Sequence, residues 1–216
     1  MHPSKMTRRS LLGSAPTAAA FTIVPRHVLA QSGKAAPSEK IRLACIGAGG
    51  RGGGDLNACA GLDGVHVAAL CDVDAKRAAG NIKKFSQAKF FGDFRKMFDQ
   101  MDKDIDAVVV GTPDHTHAVA CMAALKRKKH VYCEKPLAHS VHEVRELIRA
   151  AREAGTVTQL GNQGHSTDTI RLLVEWVRDG AIGQVQRIDL GCSANNSHMG
   201  DLAKLTEVHP VPEGLD

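Results

Sequence analysis

The feature that most restricts how this chain can fold is Gly47-Ala48-Gly49-Gly50-Arg51-Gly52, a G-x-G-x-x-G turn. It follows the apolar run 41–46 and opens a stretch that reads as helix over 52–60. Glycine is needed at each of the three places for a different reason. Gly47 permits the tight turn, Gly49 lets backbone N–H groups approach a pyrophosphate, and Gly52 lets the helix lie close to the strand. The phosphate charge would then face the positive end of the helix, with Gly50 and Arg51 in the same turn. Among 21 glycines the motif alone carries little weight, so its surroundings decide. A second apolar run at 65–71 ends in Asp72, where a carboxylate can accept hydrogen bonds from the adenosine ribose hydroxyls.

The remainder of this region alternates in the same way. Helical spacing and charge occupy 74–85, a weak strand 88–91, a short helix 94–101, and the strongest strand 105–110 around Val108-Val109-Val110. Helix 118–126 and strand 130–133 follow. Ser140 and Glu143 form an S-x-x-E capping box for the next helix, which Gly155 ends, and 157–160 makes a sixth strand. Strands alternating with helices at this spacing imply an α/β fold, a doubly wound parallel sheet of Rossmann type covered on both faces. After Gly164 the texture changes. Residues 167–178 form an amphipathic helix with Ile170, Leu173, Val174 and Val177 on one face, stopped at Gly180. Residues 185–190 are strand-like, and 192–216 lack periodicity. That is too little to enclose a core. The expected organisation is a leader at 1–30, a Gly/Ala/Pro/Ser linker at 31–39, a dinucleotide-binding domain at 40–164, and the incomplete start of a second, α+β domain at 165–216.

Charge points the same way. The net charge of +5 looks basic, but Lys5, Arg8, Arg9 and Arg26 stand in the first 30 residues with no acid, leaving 24 basic against 23 acidic residues. No electrostatic footprint for nucleic acid remains, and aromatics at 4% are too few for a base-stacking surface. Arg8-Arg9, the apolar run 11–24 and the small residues of Val28-Leu29-Ala30 read as a signal peptide cleaved after Ala30. Thr7-Arg8-Arg9-Ser10-Leu11-Leu12 resembles a twin-arginine signal, which implies export to the periplasm in folded form. The apolar run falls short of the roughly 20 residues a membrane-spanning helix needs. The six cysteines contain no C-x-x-C pair, so no metal site is expected, and Cys45, Cys71 and Cys133 read as small buried hydrophobes.

Two loops carry the remaining chemistry. Thr112-Pro113-Asp114-His115-Thr116-His117 leaves the fourth strand, and Glu134-Lys135-Pro136 leaves the fifth, both at the carboxyl edge where such sheets bind ligands. Lys135 there can hydrogen-bond a reacting hydroxyl or carbonyl oxygen. Composition alone makes Lys135 an ordinary surface lysine, and His115 and His117 loop histidines. Asp72 repels a 2′-phosphate and so favours NAD. NADP is the alternative, through Lys76 and Arg77, although these two read first as a solvated helix face.

Taken together, the G-G-R-G turn, C-D-V-D at 71–74, T-P-D-H-T-H at 112–117, E-K-P at 134–136 and G-A-I-G-Q-V at 180–185 resemble the Gfo/Idh/MocA family, named for glucose–fructose oxidoreductase and inositol dehydrogenase, over about 41–190. The resemblance implies that Lys135 is catalytic, that the Lys135–Pro136 bond is cis, and that Thr112, Pro113, His117 and Glu134 border the cofactor. Gly161-Asn162-Gln163-Gly164-His165 is similar to a stretch of exported members and adds Asn162 and His165 as substrate-side candidates. His117 and His165 are expected at the rim of the cleft that holds Lys135. The family's D-x-x-x-H motif is missing, for Asp201 and His198 stand in the wrong order and spacing. Three readings stay open. The first is an NAD(P)-dependent oxidoreductase of a sugar or polyol, a homo-oligomer in its full-length form. The second is a redox-neutral NAD-dependent glycosidase, and the third a truncated dinucleotide-binding fragment. The chain as it stands is expected to bind dinucleotide weakly at best and to turn nothing over.

Overall fold

A computed structural model describes residues 39–189 and 210–211. The leader and nearly all of the linker, Leu190, Cys192, His198 and Asp201 lie outside the described residues. Contacts divide the chain into Met1–Glu39 and Lys40–Asp216, and the second unit holds every element below.

Six strands, β1 (Ile41–Ile46), β2 (Val65–Cys71), β3 (Lys89–Phe91), β4 (Ala107–Val110), β5 (His130–Glu134) and β6 (Thr158–Gly161), form one sheet in the order β3-β2-β1-β4-β5-β6. Every neighbouring pair runs parallel. Helices α1 (Gly50–Ala60), α2 (Ala75–Lys84), α3 (Phe94–Met101), α4 (His117–Lys126) and α5 (Val141–Ala154) make the crossovers. The central strands are apolar without alternation because both faces are buried. Ala44, Ile46, Val108, Val110 and Cys133 pack with Met97, Phe98, Cys121, Leu125 and Leu147 of α3, α4 and α5. Leu43, Cys45, Val67, Leu70 and Val109 pack with Leu56 of α1 and Ala78 of α2. Adjacent residues of one strand thus serve opposite cores, as a period of two demands. The expected cover is incomplete at the β6 edge, where Leu160 is exposed.

The helix boundaries follow local chemistry. Asp74 caps α2 by accepting the Arg77 N–H, and Asp93 caps α3 by accepting the Arg95 N–H. Ser140 and Glu143 form the capping box of α5, and Gly155 ends it in the left-handed region at φ 66°. α1 differs, for its cap residue Gly49 has no side chain to bond the first-turn amides.

Beyond Gly161 the chain makes a short 3-10 turn (Gln163–Ser166) and helix α6 (Asp168–Arg178). The apolar face of α6 is not packed on the sheet, since Ile170, Leu173, Val174 and Val177 are all exposed. The strand expected from 185 does not form in the described part, and 185–189 lack regular structure. Its strand-like composition is not enough, because a strand needs a neighbour to satisfy its backbone groups and none of the six strands pairs with it.

The cysteines behave as small apolar residues. Cys45, Cys71, Cys121 and Cys133 are buried and Cys59 is half-buried, all as free thiols. Burial pushes the Cys71 thiol up to about 12, far from the thiolate form in which cysteine reacts.

Candidate dinucleotide and catalytic site

Strand register brings the site together. Ile46 stands opposite both Cys71 and Val110, and Val110 opposite Cys133. The residues that leave these strands, Gly47, Asp72, Gly111 and Glu134, therefore emerge side by side at the carboxyl edge. β1 and β4 are neighbours there although β2 and β3 lie between them in sequence, which makes the junction a topological switch point.

The glycine turn is shaped by contacts with backbone. Gly47 has φ 84°, and a Cβ on it would sit 2.7 Å from the Gly111 carbonyl carbon. A Cβ on Gly52 would come within 2.2 Å of the Gly47 oxygen, and one on Gly111 within 2.3 Å of the Gly52 Cα. Gly111, which sequence reasoning passed over, is thus the third member of a three-glycine contact that lets α1 meet the sheet. Gly49 has a steric constraint as well. A Cβ on it would meet Arg77 Cγ at 2.7 Å, so besides lining the cavity this glycine makes room for α2.

A cavity of about 580 Å³ lies over this turn, lined among others by Gly47, Gly49, Arg51, Asp72, Arg77, Thr112 and Pro113. Asp72 Oδ2 accepts the Gly49 N–H at 2.8 Å and Oδ1 accepts the Asp74 N–H at 3.0 Å, so the carboxylate ties the glycine turn to the end of β2 and faces the cavity. Arg77 does not belong to a merely solvated face. Capping by Asp74 places it where its guanidinium Nη2 would be 2.9 Å from a Cβ on Gly50. Lys76 is exposed and does not line the cavity.

A second cleft of about 390 Å³ adjoins the first and is lined by Arg51, Gly111, Thr112, Asp114, His117, Glu134, Lys135 and Gln163. The Lys135–Pro136 bond is cis. The Lys135 ammonium has no ion pair or hydrogen bond among the described residues. Thr112 borders both spaces, and its buried Oγ1 has no partner among the described residues. Glu134 is turned inward. It pairs with Arg51 Nε at 2.9 Å, accepts from the Gln163 amide, and accepts the Lys135 N–H at 3.0 Å. Burial by itself would raise its carboxyl, but the hydrogen bonds from Arg51, Gln163 and Asp55 outweigh burial and hold it down at about 2.

His165 and Asn162 fall elsewhere than expected, whereas His117 lines the cleft that holds Lys135. Its ring is buried in the wall, with Nδ1 2.6 Å from the Pro136 oxygen and Nε2 2.7 Å from the Thr112 oxygen. It braces the two loops, because its place in the first turn of α4 points the ring beneath them. His165 and Asn162 are exposed and line neither space. Gln163 is the residue of that stretch that reaches the cleft, bonding Tyr132 Oη at 2.9 Å and Asp55 Oδ1 at 3.4 Å as well as Glu134. The cue for Gln163 lay in the one-residue step, which aims neighbouring side chains differently as the chain leaves β6.

An unpartnered Thr112 hydroxyl, glycines with no side chain to obstruct an approaching phosphate, and an inward carboxylate at Asp72 fit a dinucleotide. Residues 41–162 match the family model for Gfo/Idh/MocA, the oxidoreductase family with an NAD-binding Rossmann fold. The chain is 36% identical over 149 residues to an inositol 2-dehydrogenase from Rubrobacter xylanophilus, covering 68% of this chain and 42% of that protein. An NAD-binding oxidoreductase from Klebsiella pneumoniae superposes with a TM-score of 0.56 at 30% identity, over 67% of this chain and 40% of the other. GenD2 of gentamicin A biosynthesis, solved in complex with NAD, has the same fold at a TM-score of 0.61 and 24% identity, over 74% of this chain and 43% of the other. The chain thus spans less than half the length of these relatives. It belongs to the Gfo/Idh/MocA oxidoreductase family, and its residues 41–162 are that family's NAD-binding Rossmann domain.

Proposed function

We propose that this protein is the dinucleotide-binding part of an oxidoreductase that moves a hydride between a carbinol carbon of a sugar or polyol and nicotinamide C4. The observation that carries the reading is the juxtaposition, along one row of strand ends, of a side-chain-free phosphate turn, the Asp72 carboxylate and an unpaired Lys135. The turn and the α1 N-terminus would hold the pyrophosphate, Asp72 the adenosine ribose, and Thr112 the nicotinamide half. NAD supplies the hydride acceptor when bound. In the reducing direction the Lys135 ammonium hydrogen-bonds the carbonyl oxygen and gives it a proton as the carbon gains a hydride; in the oxidising direction the Lys135 amine takes the carbinol proton as the carbon loses its hydride. The names of the relatives, inositol 2-dehydrogenase and levoglucosan dehydrogenase, support a polyhydroxylated substrate.

Asp72 also supports NAD over NADP, because its charge opposes a 2′-phosphate. Asp72→Ala should weaken NAD about tenfold or more, the loss of charge-assisted hydrogen bonds, and should weaken NADP less. Parallel calorimetric titrations measure both. A wild-type preference for NADP would reverse the assignment and make Arg77, which already lies over the turn, the specificity residue.

The twin-arginine-like leader supports a periplasmic site of action. Replacing both Arg8 and Arg9 by Lys should abolish export and leave the uncleaved chain in the cytoplasm. Fractionation followed by N-terminal sequencing tests this, with Gln31 expected first in the processed form and unchanged export of the variant counting against the pathway.

A further inference from the structure

The inward face of Glu134 meets a second carboxyl that hydride transfer leaves unused. Asp55 lies one helical turn after Arg51 on α1 and is 7% exposed, and Glu134 is 4% exposed. Asp55 Oδ1 is 3.3 Å from the Arg51 guanidinium and accepts from the Gln163 amide, whereas Oδ2 is buried with no partner among the described residues. The two carboxyls are brought together by shared partners, since the Gln163 amide bonds Asp55 Oδ1 and Glu134 Oε1 and the Arg51 guanidinium pairs with both acids. The polar and titratable groups that face Asp55 are Arg51 and Cys59 from α1, Cys45 from β1, Tyr132 and Glu134 from β5, and Gln163 beyond β6. Only Arg51 among them is a cation. Two ionised carboxylates beside one guanidinium would leave a buried negative charge uncompensated and the orphan Asp55 Oδ2 without a donor among the described residues, an arrangement that burial penalises heavily. One proton shared by the pair removes the excess charge and supplies the missing donor.

We propose that Asp55 is a positioning residue: a neutral carboxyl that donates a hydrogen bond to Glu134 and so fastens the glycine helix α1 to the Glu134–Lys135–Pro136 turn. Its importance for catalysis rests on the role given above to Lys135. Its protonation does not. The phosphate-binding turn and Lys135 become one hydrogen-bonded unit, with Arg51 bridging both acids and Gln163 closing the ring. Burial first, and then the hydrogen bond and negative charge of Glu134, push the Asp55 carboxyl up to about 6. The folded protein therefore retains a proton that the unfolded chain has already released above the ordinary carboxylate range. The stability this contributes is complete below about 3.8 and is lost as pH rises from there through about 6. Glu134 has the opposite sign, its contribution being complete above about 4.5 and lost as pH falls from there through about 2.

Thermal unfolding of the 216-residue chain between pH 4 and 8 tests the proposal with Asp55→Asn and Asp55→Ala. The asparagine keeps a neutral donor of nearly the same shape. Asp55→Asn should match wild type near pH 4 and melt several degrees higher from pH 7 upward, because only in wild type does the unfolded chain release a proton that the folded protein retains. Asp55→Ala should melt lower than Asp55→Asn throughout. A constant offset between wild type and Asp55→Asn across this range would overturn the proposal. If the variants do not fold, the ¹³C carboxyl resonance of Asp55 in wild type decides, with a midpoint near 6 expected and one at the ordinary aspartate value fatal. In a form of the protein that turns over substrate, Asp55→Asn should restore what Asp55→Ala loses. None of the stability or resonance readouts involves NAD or Lys135, so failure of the hydride-transfer reading would leave them intact.

Discussion

Lys135→Ala is expected to lower turnover about 10²- to 10⁴-fold, the usual worth of general acid–base assistance, in any form of this protein that oxidises a polyol. Dinucleotide affinity should hardly change. Lys135 lines the smaller cleft at the end of β5, whereas Asp72, at the end of β2, and Gly47 and Gly49, after β1, line the larger cavity three and two strands away in the sheet order β2-β1-β4-β5. Glu134, directly before Lys135, is bonded inward to Arg51 and Gln163 and keeps the turn in place without the lysine side chain. Steady-state kinetics together with NAD titration separate the two effects. An unchanged kcat would remove Lys135 from the mechanism, and an equal loss of NAD affinity would make it a binding residue.

Gly111→Ala and Gly52→Ala should each cost about 3 kcal/mol, the upper part of the usual range for overpacking. For a protein of this size that lowers the Tm by roughly 6–12 °C. The added methyl would stand 2.3 Å from the Gly52 Cα in the first case and 2.2 Å from the Gly47 oxygen in the second. Both obstacles are backbone, so no rotamer change relieves them and α1 must move away from the sheet. Dinucleotide binding should disappear with the turn. Gly54→Ala is the internal control. It lies on the same helix with nothing within 4 Å of its added Cβ, so it should stabilise by about 0.5–1 kcal/mol through helix propensity. Thermal unfolding of the three variants side by side checks the contrast, and an unchanged melting temperature for Gly111→Ala would show that the three-glycine contact is not tight.

The sequence by itself determined those properties that depend on a few neighbouring residues. Apolar runs marked all six strands, Asp74, Asp93 and Ser140 stood at helix starts, Gly155 at a helix end, and the glycine turn announced a phosphate site. Each is governed by interactions within about one helical turn or one strand, which a linear reading captures. Tertiary structure alone decided how those pieces are held together. The Asp55–Gln163 bond joins residues 108 apart, and the Arg51–Glu134 pair joins residues 83 apart. Gly111 gave no local sign that its Cα would press on Gly52, and nothing in T-P-D-H-T-H said that His117 would be buried in the cleft wall between the Thr112 and Pro136 carbonyls. Residues 185–189 erred the other way, for Val185 and Ile188 permit a strand but only a paired neighbour makes one. Local patterning selects the elements and their order. The closeness of two backbones, and the charge balance of groups brought together from distant strands, exist only once the sheet has closed its register.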